Sequence, residues 1–166
     1  MILVTVGTNE ARFDRLLSAV VDLRIEEPFL VQHGHSSPIG PANATLVDFL
    51  PFEDMVDAIR EARAVITHAG VGSVMVALAN GKRPIVVPRR RAFHEAVDDH
   101  QFQLGRRFAA EDLVTFVESP SSLGEVILER SRTRLGEPSS NALAAELRQL
   151  LTSLTSARPP TPAREG

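Results

Sequence analysis

The chain has 166 residues, of which 43% are hydrophobic and 23% charged, and its 18 basic against 21 acidic side chains leave a net charge of −3. These values are typical of one globular domain and argue against a disordered or fibrous protein. The slightly acidic balance gives no domain-wide attraction for nucleic acid, and the absence of cysteine excludes disulfides, thiolate metal sites and a cysteine nucleophile.

Short apolar runs alternate with amphipathic segments along the chain. Runs rich in β-branched residues predict buried strands, and apolar residues repeated at helical spacing predict helices. The predicted strands span 2–6, 29–31, 45–47, 65–67, 85–87 and 114–117. The predicted helices span 13–21, 52–63, a segment ending near 80, 97–108, 123–132 and 141–154. Gly81 is placed to end the third helix in the left-handed conformation. The alternation predicts an α/β fold, a Rossmann-like parallel sheet with helices on both faces.

The domain organisation follows from the composition near the C-terminus. Residues 157–166 are rich in proline, which predicts a disordered tail after an α/β domain over residues 1–156. No apolar run approaches the roughly 18 residues needed to cross a bilayer, and the short apolar N-terminus lacks the features of a signal peptide. We therefore expect a cytoplasmic chain that reaches a membrane only through another molecule.

One strand-to-helix junction carries the strongest site signal, because ligands of parallel sheets bind beyond the carboxyl ends of the strands. Within Thr67–Ser73, Gly70 and Gly72 would let the backbone approach a ligand without a side chain in the way. The free N–H groups of the helix's first turn favour a phosphate there. Ser73 adds a hydroxyl donor and His68 a ring N–H. The alternative is a tight turn in which Ser73 only caps the helix.

The loop after the fifth predicted strand is rich in charge. Pro88–Arg91 contains three successive arginines, which could bind phosphates or anionic lipid, or form the solvated loop that is usual for such a run. Further on, Asp98 and Asp99 suit a helix N-terminus electrostatically. Gln101 can offer a ligand's hydroxyls both a donor and an acceptor. The sequence alone leaves these alternatives open.

Other patterns are weaker. Gly7-Thr8-Asn9 could present backbone amides to the same anion, but it lacks the three spaced glycines of the dinucleotide fingerprint, which argues against a dehydrogenase. His33, His35 and His100 raise the question of a metal. No carboxylate or thiol cluster accompanies them, so we predict no metal site. No Ser–His–Asp triad can be assembled from the spacing.

Four segments carry a wider pattern, namely Ile66–Ser73, Ala77-Leu78, Gly81–Pro88 and Asp98–Gln101. Together they resemble the C-terminal, sugar-nucleotide-binding domain of family 28 glycosyltransferases, which is one half of the GT-B fold. The opening of the chain resembles a subgroup in which this domain is a separate polypeptide. That subgroup contains the two-component transferases of bacterial exopolysaccharide assembly and the eukaryotic enzyme that adds the second GlcNAc to a dolichol-linked precursor. The arginine run is closer to the bacterial kind, and the resemblance runs from residue 1 to about 116.

The resemblance implies a UDP-sugar site, with no cofactor and no metal. His68, if protonated, would add positive charge beside the diphosphate. Much of the family has a glutamate at the position of Val76, where it takes the ribose hydroxyls, so this chain must recognise ribose through another group. The implied contacts are, for the diphosphate, Gly7, Thr8, His68, Gly70, Gly72 and Ser73; for the uracil, Phe52 and Met55; and for the sugar hydroxyls, Asp99 and Gln101.

The implied function is that of a UDP-sugar-dependent hexosyltransferase subunit. It would transfer its sugar with inversion to a lipid-linked acceptor in exopolysaccharide assembly. A membrane-anchored partner would bind the acceptor and supply the catalytic base, which would make this chain peripheral at the inner face of the membrane. The main alternative is a non-catalytic nucleotide-sugar-binding regulatory or scaffold subunit, and an epimerase-like enzyme would need a second domain. The assignment as a donor-binding subunit requires an open junction at Thr67–Ser73, with its glycines not turned toward the protein interior.

Overall fold

The computed structural model describes residues 1–132. Its strands are β1 (Ile2–Thr5), β2 (Phe29–Gln32), β3 (Ala44–Val47), β4 (Ala64–His68), β5 (Ile85–Val87) and β6 (Thr115–Phe116). Its helices are α1 (Asp14–Val21), α2 (Phe52–Glu61), α3 (Val71–Ala79), α4 (His100–Ala110) and α5 (Leu123–Arg132). Within these residues, no helix combines the length and apolar character needed to span a membrane. The helix predicted at 141–154 and the tail predicted at 157–166 lie outside the described residues.

The six strands form one parallel sheet in the order β3-β2-β1-β4-β5-β6. The central strands are continuous apolar runs because helices cover both of their faces. After β1, the strands β2 and β3 are added toward one edge of the sheet, and after β4, the strands β5 and β6 are added toward the other. Such a reversal between neighbouring strands opens a crevice at their carboxyl ends. The predicted Rossmann-like α/β fold is confirmed, and the crevice lies between β1 and β4.

Side chains of β1 alternate between two buried layers. Ile2 and Val4 belong to the cluster that α1 and α5 cover, whereas Leu3 packs with Ile59 of α2. Because side chains alternate along a strand, Thr5 points to the same face as Leu3. A polar side chain therefore ends the strand on the face that α2 covers, next to the crevice.

One helix begins later than predicted. Val97 was expected on the apolar face of the fourth helix, but α4 begins at His100 and the Val97 residue is 91% exposed. His94 adopts a left-handed conformation with φ of 57°, and Asp98 Oδ1 accepts a hydrogen bond from the His100 N–H at 3.0 Å. The prediction for Val97 is wrong because these residues form turns that precede the helix. The prediction for Gly81 is confirmed, since its φ is +73° directly after α3.

Candidate functional site

A cavity of about 610 Å³ opens between α2 and α3 at the carboxyl ends of β1, β2 and β4. It brings together eight of the ten predicted substrate-binding residues, and Gly70 and Asp99 do not line it. The lining residues are Thr5, Gly7, Thr8, Asn9, Gln32, Leu50, Phe52, Met55, Ile59, Val65, His68, Gly72, Ser73, Val76 and Gln101.

The N-terminus of α3 is open toward this cavity. Gly70 is the N-cap residue, and its carbonyl accepts the Val74 N–H at 3.1 Å. No side chain caps the helix, so the alternative in which Ser73 is only a cap is wrong. A Cβ built at Gly72 would meet no atom within 4 Å. The N–H groups at the start of α3 therefore have no side-chain cap at the positive end of the helix dipole, and Gly72 and Ser73 of this first turn line the cavity.

The imidazole of His68 occupies the space that two glycines leave. A Cβ built at Gly7 or at Gly70 would collide with this ring. Gly7 has a φ of +78°, which favours glycine independently of the collision. The prediction that Gly70 leaves room for a ligand is thus wrong, because the room is taken by His68. The junction is not plugged, however, since Gly72 faces open space.

His68 is uncharged at neutral pH. Burial disfavours its cationic form and the Arg89 guanidinium repels it, so the pKa of His68 is lowered from its ordinary value to about 4. Its Nδ1 lies 3.4 Å from the hydroxyl of Thr67. A pKa of about 4 argues against the expectation of a protonated His68 beside the diphosphate. A neutral ring still has one N–H to donate.

Two polar residues at the back of the cavity were missed by the sequence analysis. Thr5 ends β1 and Gln32 ends β2, and the two are paired in the register of the parallel sheet. The Thr5 hydroxyl donates to Gln32 Oε1, and the Gly7 N–H donates to Thr5 Oγ at 3.2 Å. The signal in the sequence was a polar residue closing an otherwise apolar strand, Thr5 after Ile2–Val4 and Gln32 after Phe29–Val31.

Gln101 and Asp99 have different surroundings. Gln101 lines the cavity, and its Oε1 accepts the Arg89 N–H at 3.3 Å. Asp99 instead accepts from Arg90 Nε at 3.2 Å and from the Arg91 N–H at 3.1 Å. The carboxylate of Asp99 therefore organises the arginine loop, beside the cavity rather than in its wall.

The arginine run is only partly solvated, since Arg91 is exposed and Arg89 is not. Arg89 is fully buried, and its guanidinium donates to the carbonyl oxygens of Val6 at 2.9 Å and Ala11 at 2.7 Å. It also reaches the carbonyls of Arg12 and Glu95, each at 3.3 Å. All three readings of this run fail for Arg89, because its two terminal nitrogens donate within the fold and its Nε is buried without a partner among the described residues.

Glu95 completes the buried cluster around Arg89. Its carboxylate accepts two hydrogen bonds from Arg15, at 2.9 and 2.8 Å, and one from the Arg90 N–H at 3.0 Å. The Phe13 ring centroid lies 4.8 Å from the Arg89 guanidinium carbon. The loop after β5 is thereby fastened to the loop after β1, which carries Gly7.

Residues 1–132 contain no group of three or more histidine, cysteine, aspartate or glutamate side chains that could hold a metal ion. His33 and His35 are engaged separately. The Nδ1 of His33 lies 3.0 Å from the Gly34 carbonyl oxygen, and the His35 ring packs edge-on against Phe49 with centroids 5.2 Å apart.

Comparison with known proteins adds the family. The model of the glycosyltransferase family 28 C-terminal domain matches residues 1–153. The fold is similar to that of the glycosyltransferase SnogD from Streptomyces nogalater, with 21% identity and a TM-score of 0.63, covering 91% of this chain and 39% of that one. The calicheamicin glycosyltransferase CalG4 is 19% identical with a TM-score of 0.62, and the match covers 93% of this chain and 39% of that one. Acinetobacter baumannii MurG is 23% identical with a TM-score of 0.57, and the match covers 89% of this chain and 44% of that one.

This chain spans about two fifths of the length of the first two solved structures, since it covers 39% of each. Identities of this size show the shared fold and no more. A search of the curated proteins found no match.

Proposed function

The chain belongs to the glycosyltransferase family 28 C-terminal domain family, and we propose that it binds a UDP-sugar and transfers the sugar to an acceptor. The observation that carries the proposal is the uncapped N-terminus of α3, which opens into the cavity. Main-chain N–H groups and the helix dipole favour an anion at such a place. The diphosphate would lie there, against Gly72 and the hydroxyl of Ser73.

The rest of the cavity suits the two ends of the donor. Leu50, Phe52 and Met55 line one wall, and the Phe52 residue is 63% exposed, which leaves its ring free to cover a flat base such as uracil. Gln101 lies on the wall nearest the arginine loop and would hold the sugar hydroxyls, with Asp99 beside it. Gly7 and Thr8 would flank the phosphates from the β1 side.

The proposed chemistry is a single displacement with inversion. The acceptor oxygen forms a bond to the anomeric carbon while the bond from that carbon to the phosphate oxygen of UDP breaks. This chain would stabilise the departing negative charge with the α3 N–H groups, the Ser73 hydroxyl and the neutral ring of His68. These donors are in place before the reaction, which is what electrostatic stabilisation of a leaving group requires.

The acceptor's proton must go to a base, which we propose belongs to a partner. Among the described residues lining the cavity there is no aspartate or glutamate, and the low pKa of His68, about 4, makes it a weak base. A membrane-anchored partner subunit would supply the base and the lipid-linked acceptor, in exopolysaccharide assembly. The resemblance of the opening segment to two-component transferases supports this arrangement, with the chain held at the cytoplasmic face of the membrane.

Calorimetric titration of the full chain with UDP, GDP and their hexose derivatives tests the binding half of the proposal. UDP should bind, and Ser73→Ala should weaken binding by about 1–3 kcal/mol, because a hydrogen bond to a charged phosphate is lost. The matched control is Ser18→Ala, on the exposed face of α1, which should bind as the wild type does. If no nucleotide binds, the proposed donor site does not exist.

The catalytic half is tested by UDP release. We expect release with a lipid-linked acceptor only when the partner is added to this chain. Full activity of the chain alone would contradict the divided site. Nucleotide binding without release in the presence of partner and acceptor would instead favour the second candidate, a regulatory or scaffold subunit. The absence of a carboxylate base from the cavity wall leaves that candidate in place.

A further inference from the structure

Gln32 holds an unused hydrogen-bond donor in the wall of the cavity. The residue is 2% exposed, and its Oε1 accepts the hydroxyl of Thr5. Within residues 1–132, its amide nitrogen has no hydrogen-bond partner, although the side chain lines the cavity. That nitrogen is not among the buried side-chain atoms that lack a partner, so it is open to the cavity and can donate to a ligand there.

The orientation of the amide follows from the hydrogen bonds of Thr5. The Gly7 N–H donates to Thr5 Oγ at 3.2 Å, which leaves the hydroxyl proton of Thr5 free to be donated. That proton needs an acceptor, and Gln32 Oε1 provides it. The two amide protons of Gln32 are therefore the pair left for the cavity.

The inner wall of the cavity offers few other polar groups. Its four least exposed residues are Thr5, Gln32, Ile59 and Val65, at 2–4% exposure. Ile59 and Val65 are apolar, and Val76 on the side of α3 has no hydrogen-bonding atom in its side chain either. Gln32 therefore provides the side-chain hydrogen-bond donor for a polar ligand group at this depth.

We propose that the Gln32 amide donates to a pentose hydroxyl oxygen of the bound nucleotide, an inference that rests on the proposed donor site. Thr5 links Gln32 to the Gly7 amide, so Gln32 lies two hydrogen bonds from the loop that flanks the phosphates. In a nucleoside diphosphate the pentose is attached directly to the phosphates, and the base lies beyond it. The pentose is thus the part of the ligand that reaches Gln32.

The test compares UDP, 2′,3′-dideoxy-UDP and inorganic pyrophosphate by calorimetry on the full chain. In the wild type, UDP should bind about tenfold more tightly than the dideoxy compound, the effect of one or two hydrogen bonds. Gln32→Met keeps the length of the side chain and removes its donor. We expect that variant to bind UDP about tenfold more weakly and the other two ligands unchanged. Gln103→Met, on the exposed face of α4, is the matched control and should change nothing.

Three results would overturn the inference. Equal binding of UDP and dideoxy-UDP by the wild type does so without any variant, even if Gln32→Met fails to fold. If Gln32→Met binds UDP and dideoxy-UDP more weakly by the same factor, with pyrophosphate binding unchanged, the amide contacts the base instead. If the variant also binds pyrophosphate more weakly, Gln32 only supports the Gly7 loop. In all three results UDP still binds the wild type, which separates them from failure of the proposed function.

Discussion

Two neighbouring regions at the carboxyl edge of the sheet use hydrogen-bond donors in opposite ways. At the start of α3 the donors are main-chain N–H groups without a side-chain cap and the Ser73 hydroxyl, and Gly72 and Ser73 line the cavity. In the loop after β5 the donors belong to Arg89, whose two terminal nitrogens donate to four carbonyl oxygens while its Nε is buried without a partner among the described residues. The region with the formal positive charge is closed, and the region without it is the candidate anion site. Charge in a sequence therefore does not locate a ligand until the partners of each donor are known.

The two regions are coupled through His68. Its ring lies against Gly7 and Gly70, and the buried charge of Arg89 helps to keep it neutral. Arg89 also holds the carbonyl of Val6, the residue before Gly7, at 2.9 Å. The closed region thus sets the position of one wall of the open region and the protonation of a side chain in it.

The largest expected effect comes from breaking the closed region. Arg89→Met leaves four carbonyl oxygens without their donor, and each unsatisfied buried acceptor costs about 1–3 kcal/mol, so the variant should lose at least about 3 kcal/mol. Urea unfolding of the variant should show a loss of that size. Arg91→Met, at an exposed position two residues further on, should change the free energy of unfolding by less than about 0.5 kcal/mol. Equal stability of the two variants would contradict the structural role of Arg89.

The second effect concerns the pH dependence of stability. The folded-state pKa of His68 is about 4, below its ordinary value of 6.5, so between these pH values the unfolded chain binds more protons than the folded chain. The stability contributed by neutral His68 is present above about pH 6.5 and is lost as the pH falls toward 4. Between pH 7 and 5 the wild type should lose about 2 kcal/mol more than His68→Asn.

Urea unfolding at the two pH values measures this difference. Other titrating groups are common to both proteins and cancel in the comparison. His94→Asn, at an exposed left-handed position that asparagine tolerates, is the control and should follow the wild type. If wild type and His68→Asn lose the same stability, the ring of His68 is not held neutral by its surroundings.

The smallest effect separates the two glycines of the junction. Gly70→Ala places a methyl group against the His68 ring and should destabilise the chain by about 1–3 kcal/mol, as overpacking does. In Gly72→Ala the added methyl group meets no atom within 4 Å, and alanine favours the helical conformation of α3. This change should leave the free energy of unfolding unchanged or raise it by up to about 1 kcal/mol. Thermal unfolding distinguishes them. The double change His68→Ala with Gly70→Ala should cost less than the sum of the two single changes, and strict additivity would contradict the contact.

Much of the fold could be read from local patterns. Apolar runs such as Ile2–Val6 and Ile85–Val87 marked strands because a parallel sheet buries both faces, and the repeated apolar stripe of 13–21 marked α1. Val97 was misassigned because an apolar residue at helical spacing does not reveal that turns precede the helix. The glycine-rich junction at the end of β4 was identified because its chemistry is local to seven consecutive residues, Thr67–Ser73.

The sequence by itself determined the alternation of strands and helices and the glycine-rich junction, because propensity and periodicity are properties of neighbouring residues. The tertiary structure decided which donors remain free. It buried Arg89 against carbonyls of a loop nearly eighty positions earlier in the chain, placed His68 against Gly7, and set Gln32 beside Thr5. Each of these contacts joins distant segments through strand order and register. Hydrogen-bond partnership and burial, and with them charge state and accessibility, exist only once the sheet has assembled.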